Sequence, residues 1–286
     1  MGEWQGPPGA PSRPRPSSHS PFPILHLTRQ RLKDLAQLSR RRARRRQGVF
    51  LVEGLRSVEA AVAAGAALDE IVVAEGAEAD PRLAALVASA SAPVSTVPAR
   101  DLNRVADAQT SQGVVAVARS VVADDAGGLT EAGGPVLLLD GVQDPGNVGA
   151  LVRTAAWFGV AAVVADERSA DFETPKAVRA SMGGIWDVAL VRVPSLAPVL
   201  DGLAEAGVEA WGADLGGTPV GAWAPGRGAA LVMGSEGHGL SDAVAERLRA
   251  SGGFVHIPGP AGGARGVESL NVVVAGGVLL ARWLGA

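Results

Sequence analysis

Apolar residues in this chain fall into short unbroken runs, with longer stretches between them where they recur every three or four positions. The runs Val49-Phe-Leu-Val52, Glu70-Ile-Val-Val-Ala74, Val94–Val97 and Gly113-Val-Val-Ala-Val-Ala118 predict strands. Helices are expected after the first, through Ala64 to a stop at Gly65, and over 81–90, with a helical turn over 100–105. Ahead of them, Leu32, Leu35 and Leu38 give a thin apolar stripe to one or two helices over 28–46. Strands alternating with helices imply a small α/β sandwich. Further on, Val136-Leu-Leu-Leu139 is apolar at every position, as in a parallel strand covered on both faces. Strands are also expected over 160–165, 188–193, 209–213, 229–233 and 254–257. Helices should fill 147–158, 175–181, 195–206 and 241–250, and an apolar helix over 269–284 closes the chain. This second pattern predicts an open α/β sheet of five or six strands.

Composition divides the chain. Residues 1–23 are rich in Pro, Gly and Ser and predict a disordered tail. The two patterned regions give domains over 24–119 and 135–286, and the glycines of 120–134 mark a linker. No apolar run is long enough for a membrane span, and the N-terminus lacks the apolar core of an export signal. There is no cysteine, which excludes disulfides, thiolate nucleophiles and cysteine-bound zinc and suits a cytoplasmic protein. Nine of the 26 basic residues crowd into 29–46, where Asp34 is the one acid. A concentrated basic segment on an otherwise acidic chain is either a solvated helical arm or a footprint for a polyanion.

Several chemistries are missing. There is no Gly-x-Gly-x-x-Gly or Walker cradle for phosphates and no Gly-x-Ser-x-Gly elbow. Four histidines without metal-ligand spacing leave no expected metal site. Polar residues instead gather at the ends of apolar elements in three places. Asn147 and Arg153 follow the first strand of the second domain, Glu236 lies in the turn Gly234-Ser-Glu-Gly237, and Ser269 and Asn271 open the last helix. Polar groups on glycine-rich turns at the ends of buried elements can orient a substrate through hydrogen bonds. Asn147 and Ser269 also fit plain helix caps, Arg153 a surface arginine, and Glu236 a structural ion pair.

These residues resemble the motifs of the SpoU/TrmH family of RNA ribose 2′-O-methyltransferases: Asn147-x-Gly149 with Arg153-Thr-Ala155, Gly234-x-Glu236 with Gly239, and Ile257-Pro258 followed by Ser269-Leu-Asn-Val272. The segment Lys176–Gly184 is similar as well, and 24–119 resembles the ribosomal-protein-L30-like substrate-binding domain that many members carry. The resemblance implies an α/β protein with a trefoil-knotted, open parallel-sheet catalytic domain at its C-terminus. It also implies a homodimer that uses S-adenosylmethionine, without metal or membrane, to methylate a ribose 2′-hydroxyl of structured RNA. Ribosomal RNA is favoured over transfer RNA, and an actinobacterial antibiotic-resistance enzyme is one form this could take. By position, backbone groups of Ala213, Gly234, Ile257 and Leu270, with Ser269, would hold the donor. Arg153, Asn147, Glu236, Ser269 and Asn271 would form the catalytic set, with Glu236 paired to an arginine and Arg153 gripping phosphate and stabilising a developing alkoxide. A dimer would let one subunit's arginine serve the other's donor site. A non-catalytic RNA-binding or ribosome-assembly factor, or a tRNA methyltransferase, remains open. Against the family pattern, the loop 259–268 is long and Val273 replaces a small or hydroxylic residue.

Overall fold

The computed structural model of the chain describes residues 25–106, 112–129, 133–259 and 268–285. The expected tail over 1–23 and most of the loop 259–268 lie outside the described residues.

The N-terminal domain is a five-stranded mixed sheet of β1 (Leu25–His26), β2 (Val49–Glu53), β3 (Leu68–Ala74), β4 (Val94–Val97) and β5 (Val114–Arg119), in the order β1-β4-β3-β5-β2. Helices cover both faces. Alternate residues of β2, β3 and β5 send Leu51, Val72, Val115 and Val117 against α1 (Arg29–Ala36) and α5 (Ala99–Val105). Phe50, Ile71, Val73 and Val114 face the other way, towards α3 (Leu55–Ala63) and α4 (Pro81–Ser89). That is the expected sandwich. The basic segment forms α1, a short 3-10 turn and α2 (Arg41–Gln47), which Gly48 ends in the left-handed conformation at φ 64°.

The second sheet has seven strands, all parallel: β6 (Val122–Ala123), β7 (Val136–Asp140), β8 (Ala162–Ala165), β9 (Ala189–Arg192), β10 (Ala210–Pro219), β11 (Ala230–Gly234) and β12 (Gly253–His256). Their order is β12-β10-β11-β7-β8-β9-β6. One strand comes from the expected linker, since Val122 and Ala123 pair with Leu190 and Val191 at the sheet edge. Two residues carry no readable alternation, and only the partner strand makes them a strand.

Helices α6 (Pro145–Trp157), α7 (Pro175–Ser181), α8 (Ala197–Glu205), α9 (Asp242–Arg249) and α10 (Val272–Leu284) complete the domain. Gly149 lets α6 and α7 meet, because a Cβ there would lie 2.2 Å from the Ala177 carbonyl oxygen. Gly276 does the same for α10, where a Cβ would meet Leu151 at 2.7 Å. The chain runs outward from central β7 to β8 and β9 on one side, then crosses to the other, where β10 comes first, β11 fills the place between it and β7, and β12 forms the edge. Open parallel sheets bind ligands at the carboxyl ends of strands beside such a reversal.

Candidate active site

At the carboxyl ends of β7, β11 and β10 the chain makes the turns that hold most of the expected site residues. The first is the start of α6. Asp144, not Asn147, caps this helix: its carboxylate accepts from Asn147 N at 3.0 Å, and Pro145 takes the first helical position. Proline needs no amide partner there, so the helix starts earlier than the asparagine suggested. Lys176 of α7 holds the cap through a 2.6 Å bond to the second Asp144 oxygen. That bond is the main cause of the Asp144 carboxyl lying below its ordinary range; partial burial opposes it and the cap hydrogen bonds add to it.

With Asp144 capping, the Asn147 side chain is free to bridge. Its Nδ2 donates to Glu236 Oε1 at 2.6 Å, and its Oδ1 lies 3.5 Å from Asn271 Nδ2. Three of the expected residues, from segments far apart in sequence, thus meet at one point. Glu236 pairs with this amide and with no arginine among the described residues, and Arg265 of the neighbouring loop lies outside them. A tight turn points it there: Ser235 and Gly239 exchange backbone hydrogen bonds at 2.9 Å, and Gly234 is forced because a Cβ would sit 2.4 Å from Gly239. Asn271 caps α10, its Oδ1 accepting from Val273 N at 2.9 Å. The capping role that Ser269 could have filled belongs to Asn271, which leaves the exposed Ser269 hydroxyl available to a ligand.

A carboxylate that sequence reasoning passed over braces these turns. Asp140, 1% exposed at the end of β7, accepts from Ser241 N at 2.6 Å and Ser241 Oγ at 3.2 Å and pairs with Arg168. Arg168 also binds Asp166 at 2.7 Å. Burial works to lower the Arg168 pKa, but Asp166 and Asp140 outweigh it and hold the guanidinium more firmly charged than usual. The loops after β7, β8 and β11 are therefore tied at one buried carboxylate. Asp140 falls at the end of an apolar run, a position where site residues occur, but nothing local reveals its distant partners.

Beside these turns opens a cleft of about 430 Å³. Ala213, Gly234, Ile257, Ser269 and Leu270 line it, as does Glu236 at its mouth. All five expected donor-binding residues therefore share one cavity, within the size range of small-molecule sites. Its walls combine apolar side chains, including Leu215, Met233, Val272 and Leu279, with the polar side chains of Asp214, Glu236, His238 and Glu268. Such walls fit a ligand with an adenine-like face and hydrogen-bonding edges.

Arg153 is not part of that lining. Six residues beyond Asn147 is about one and two-thirds helical turns, which carries it to another side of α6. There its backbone packs on the turn at Gly184, where a Cβ would lie 3.0 Å from Arg153 Cα. The residue is exposed and has no hydrogen-bond or ion-pair partner among the described residues.

A second concave surface lies on the N-terminal domain, between α1 and α5. This groove of about 500 Å³ is lined by Arg29, Lys33, Arg100 and Arg104 with one acid, Asp101. Arg100 and Arg104 lie outside the basic run and were not anticipated. Among the described residues no cluster of acidic or histidine side chains could hold a metal ion, and no helix is long and apolar enough to cross a membrane.

Comparison with known proteins gives two family matches: the SpoU rRNA Methylase family over residues 134–281 and an MRM3-like substrate binding domain over 29–116. An uncharacterised tRNA/rRNA methyltransferase of Mycobacterium avium is 33% identical over 273 residues, covering 92% of this chain and 86% of that protein. The 23S rRNA (guanosine(2553)-2′-O)-methyltransferase RlmP of Bacillus subtilis is 30% identical over 256 residues, covering 88% and 94%. Among solved structures, the SpoU methyltransferase AviRb of Streptomyces viridochromogenes, in complex with AdoMet, superposes with a TM-score of 0.74 at 26% identity, covering 88% of this chain and 96% of that one.

Proposed function

The chain belongs to the SpoU rRNA methylase family, and from that premise we propose that it transfers a methyl group from S-adenosylmethionine to a ribose 2′-hydroxyl of structured RNA, with 23S ribosomal RNA the favoured substrate. The observation that carries this reading is the convergence of Asn147, Glu236 and Asn271 at the mouth of the cleft that Ala213, Gly234, Ile257, Ser269 and Leu270 line. The 2′-O specificity and the ribosomal substrate are supported by the motif pattern and by the activity of the Bacillus relative.

S-adenosylmethionine supplies an electrophilic sulfonium methyl when bound. Backbone groups at 213, 234, 257 and 270 would grip its polar edges, and Leu215 and Leu270 would cover its apolar face. Catalysis by this chain is then mainly placement. Glu236 fixes the Asn147 amide, and that amide and the Ser269 hydroxyl are the groups placed to hold the ribose. Arg153 cannot serve as an ordinary base, because a guanidinium stays protonated in proteins. Its role is to bind the neighbouring phosphate and steady negative charge developing on the 2′-oxygen.

Since Arg153 lies off the cleft of its own chain, it would act on the cleft of a second copy. An exposed apolar face beside it supports a homodimer: Trp157 is 83% exposed on α6, and Val274 and Val278 are 52% and 40% exposed one turn apart on α10, which packs on α6. The family resemblance supports the trefoil knot in this domain. The cationic groove between α1 and α5 would bind the RNA backbone, whose phosphates are recognised mainly by charge and shape.

The deciding experiment measures transfer of labelled methyl from S-adenosylmethionine to unmodified ribosomal and transfer RNA by the full chain and its Asn147→Ala variant. Label in ribosomal RNA, recovered in nuclease-resistant dinucleotides and lost in the variant, is the expected result. Label in a base would replace the ribose reading, and absence of donor binding would replace the enzyme with an RNA-binding factor.

A further inference from the structure

The nine basic residues of 29–46 read as one phosphate-binding surface, but the structure divides them. Arg29 and Lys33 face the groove, and Arg40, Arg42 and Arg46 are exposed. Arg44 does neither. Its side chain is 2% exposed, its Nη1 donates to the carbonyls of Leu38 at 2.8 Å and Ser39 at 2.9 Å, and its Nη2 reaches Asp171 Oδ2 in the catalytic domain at 2.7 Å. A guanidinium enclosed in this way presents no face to an incoming phosphate.

The contacts around it form a boundary between the domains. Arg41 lies 4.0 Å from Asp171 and 3.8 Å from Glu167. Glu173 accepts from Ser120 Oγ at 2.6 Å and Val121 N at 3.1 Å, where the chain enters the catalytic domain. Arg179 of α7 pairs with Glu53 of β2, and the Phe50 ring stacks on Trp186 with centroids 5.7 Å apart. Burial, the largest single influence, pushes the Asp171 carboxyl up, but the charge and hydrogen bond of Arg44, the Glu173 backbone amide and the Arg192 charge together hold it below the ordinary range.

Every catalytic-domain group named here lies in 167–186, and that segment leads straight to the active site. It contains α7, whose Lys176 holds the cap of α6 and whose Ala177 carbonyl packs on Gly149 within α6. Helix α6 carries both Asn147 and Arg153. A short chain of packed groups thus runs from α2 through Asp171 and α7 to the side chains that would address the ribose.

We infer that Arg44, through Asp171, is a positioning residue: it latches the RNA-binding domain onto the α7–α6 pair, so that RNA held by the first domain meets the cleft at one fixed spacing. This rests on the reading of the protein as an RNA methyltransferase, but the latch can be measured without RNA. In this reading part of a basic run that looks like an RNA footprint is an interdomain fastener.

The test uses the full chain, which has no cysteine of its own, with exposed positions in the two domains labelled through Ala88→Cys and Glu205→Cys. Label-to-label distance distributions are recorded for the parent, Arg44→Lys, Arg44→Met and Asp171→Asn. Affinity for unmodified ribosomal RNA across a salt series, donor affinity and methyl transfer are measured on the same proteins without labels. Loss of the latch should broaden the distance distribution and lower kcat/KM for RNA about tenfold to a hundredfold. The donor Kd and the slope of log K against log salt should stay as in the parent. Arg42→Ala, an exposed control, should do the reverse, reducing that slope by about 1 with an unchanged distribution. Arg44→Lys keeps a charge beside Asp171 but cannot bridge both carbonyls, so it decides the matter if Arg44→Met fails to fold. An unchanged distribution in Arg44→Lys, or a fall in its salt slope like that of Arg42→Ala, would overturn the latch. Failure of the parent to methylate any RNA would instead sink the reading of function, and the distances would still decide the latch.

Discussion

Two carboxylates two residues apart show how surroundings decide what a buried charge does. Asp171 is held charged by Arg44, whereas Glu173 accepts from a hydroxyl and an amide, neither of which neutralises it. Burial accordingly pushes the Glu173 carboxyl above its ordinary range, with Ser120 opposing and the nearby Asp171 charge reinforcing. For Glu173 the folded state prefers the proton, so its contribution is most favourable below the ordinary glutamate pKa of 4.5 and is lost as pH rises through the raised value. Glu173→Gln keeps both acceptor bonds without the charge. It should leave Tm unchanged or raised at pH 7–8, with the difference shrinking towards pH 4.5, the unshifted value. For Asp171 the pKa is lowered, so its contribution is present above 3.8 and is lost only as pH falls through the lower folded value. Asp171→Asn should therefore destabilise at neutral pH by about 3 kcal/mol, because it leaves Arg44 buried without its counter-charge. Thermal melts of both variants across pH check the opposite signs. Asn147 poses the complementary case of an exposed bond with little weight in stability. Asn147→Ala should change stability by less than about 1 kcal/mol, yet lower kcat roughly a hundredfold if the amide places the ribose. Asn147→Asp should do at least as badly, since it sets a carboxylate against Glu236.

At the level of elements, most of the architecture was legible because apolar runs and their breaks mark buried strands directly. The all-apolar Val136–Leu139 run became the centre of the parallel sheet, and Gly65, the expected stop, follows α3 in the left-handed conformation at φ 68°. What could not be read were features decided by a distant partner. Asp144 and Asn147 are both good cap residues three positions apart, and the choice between them depended on Pro145 and on Lys176 from another helix. Strand β6 exists only because β9 is beside it. The grouping of Ala213, Gly234, Ile257, Ser269 and Leu270 around one cleft followed the resemblance to known motifs, whereas the Asp140 brace was not legible, because Ser241 and Arg168 reach it from far along the chain. The packing of α6 on α7 gives a prediction at this scale. Gly149→Ala would place a Cβ 2.2 Å from the Ala177 carbonyl oxygen, and backbone cannot yield as a flexible side chain would. The helices must separate, which should destabilise by about 1–3 kcal/mol as overpacking does. Donor affinity should suffer less than RNA methylation, because α6 carries Asn147 and Arg153 while the cleft is lined from β10, β11 and the start of α10. Calorimetric donor titration beside methyl-transfer rates would show that split.

In the whole molecule, the placement of Arg153 bears most directly on the proposed pairing of two copies of the chain. The residue is exposed, unpartnered among the described residues and turned away from Asn147, and the apolar surface of Trp157, Val274 and Val278 lies on the same pair of helices. If that surface joins two copies, each arginine can reach the other copy's cleft. Two consequences separate this arrangement from a monomer with a misplaced arginine. First, Val278→Asp buries a charge at the proposed interface without touching the cleft of its own chain. It should halve the molecular mass in sedimentation and remove methyl transfer, while each chain still melts cooperatively. Second, Arg153→Ala and Asn147→Ala should each be nearly inactive alone, yet mixing must behave differently according to which chain supplies each group. A mixed dimer contains one cleft whose own Asn147 is intact and whose incoming Arg153 comes from the chain altered only at Asn147. The other cleft lacks both groups. With random pairing of equal amounts, about half the dimers are mixed. Refolding the two variants together should thus restore roughly a quarter of the wild-type rate, where refolding each alone restores none. Were Arg153 to serve the cleft of its own chain, every cleft in the mixture would lack one group and no activity would return.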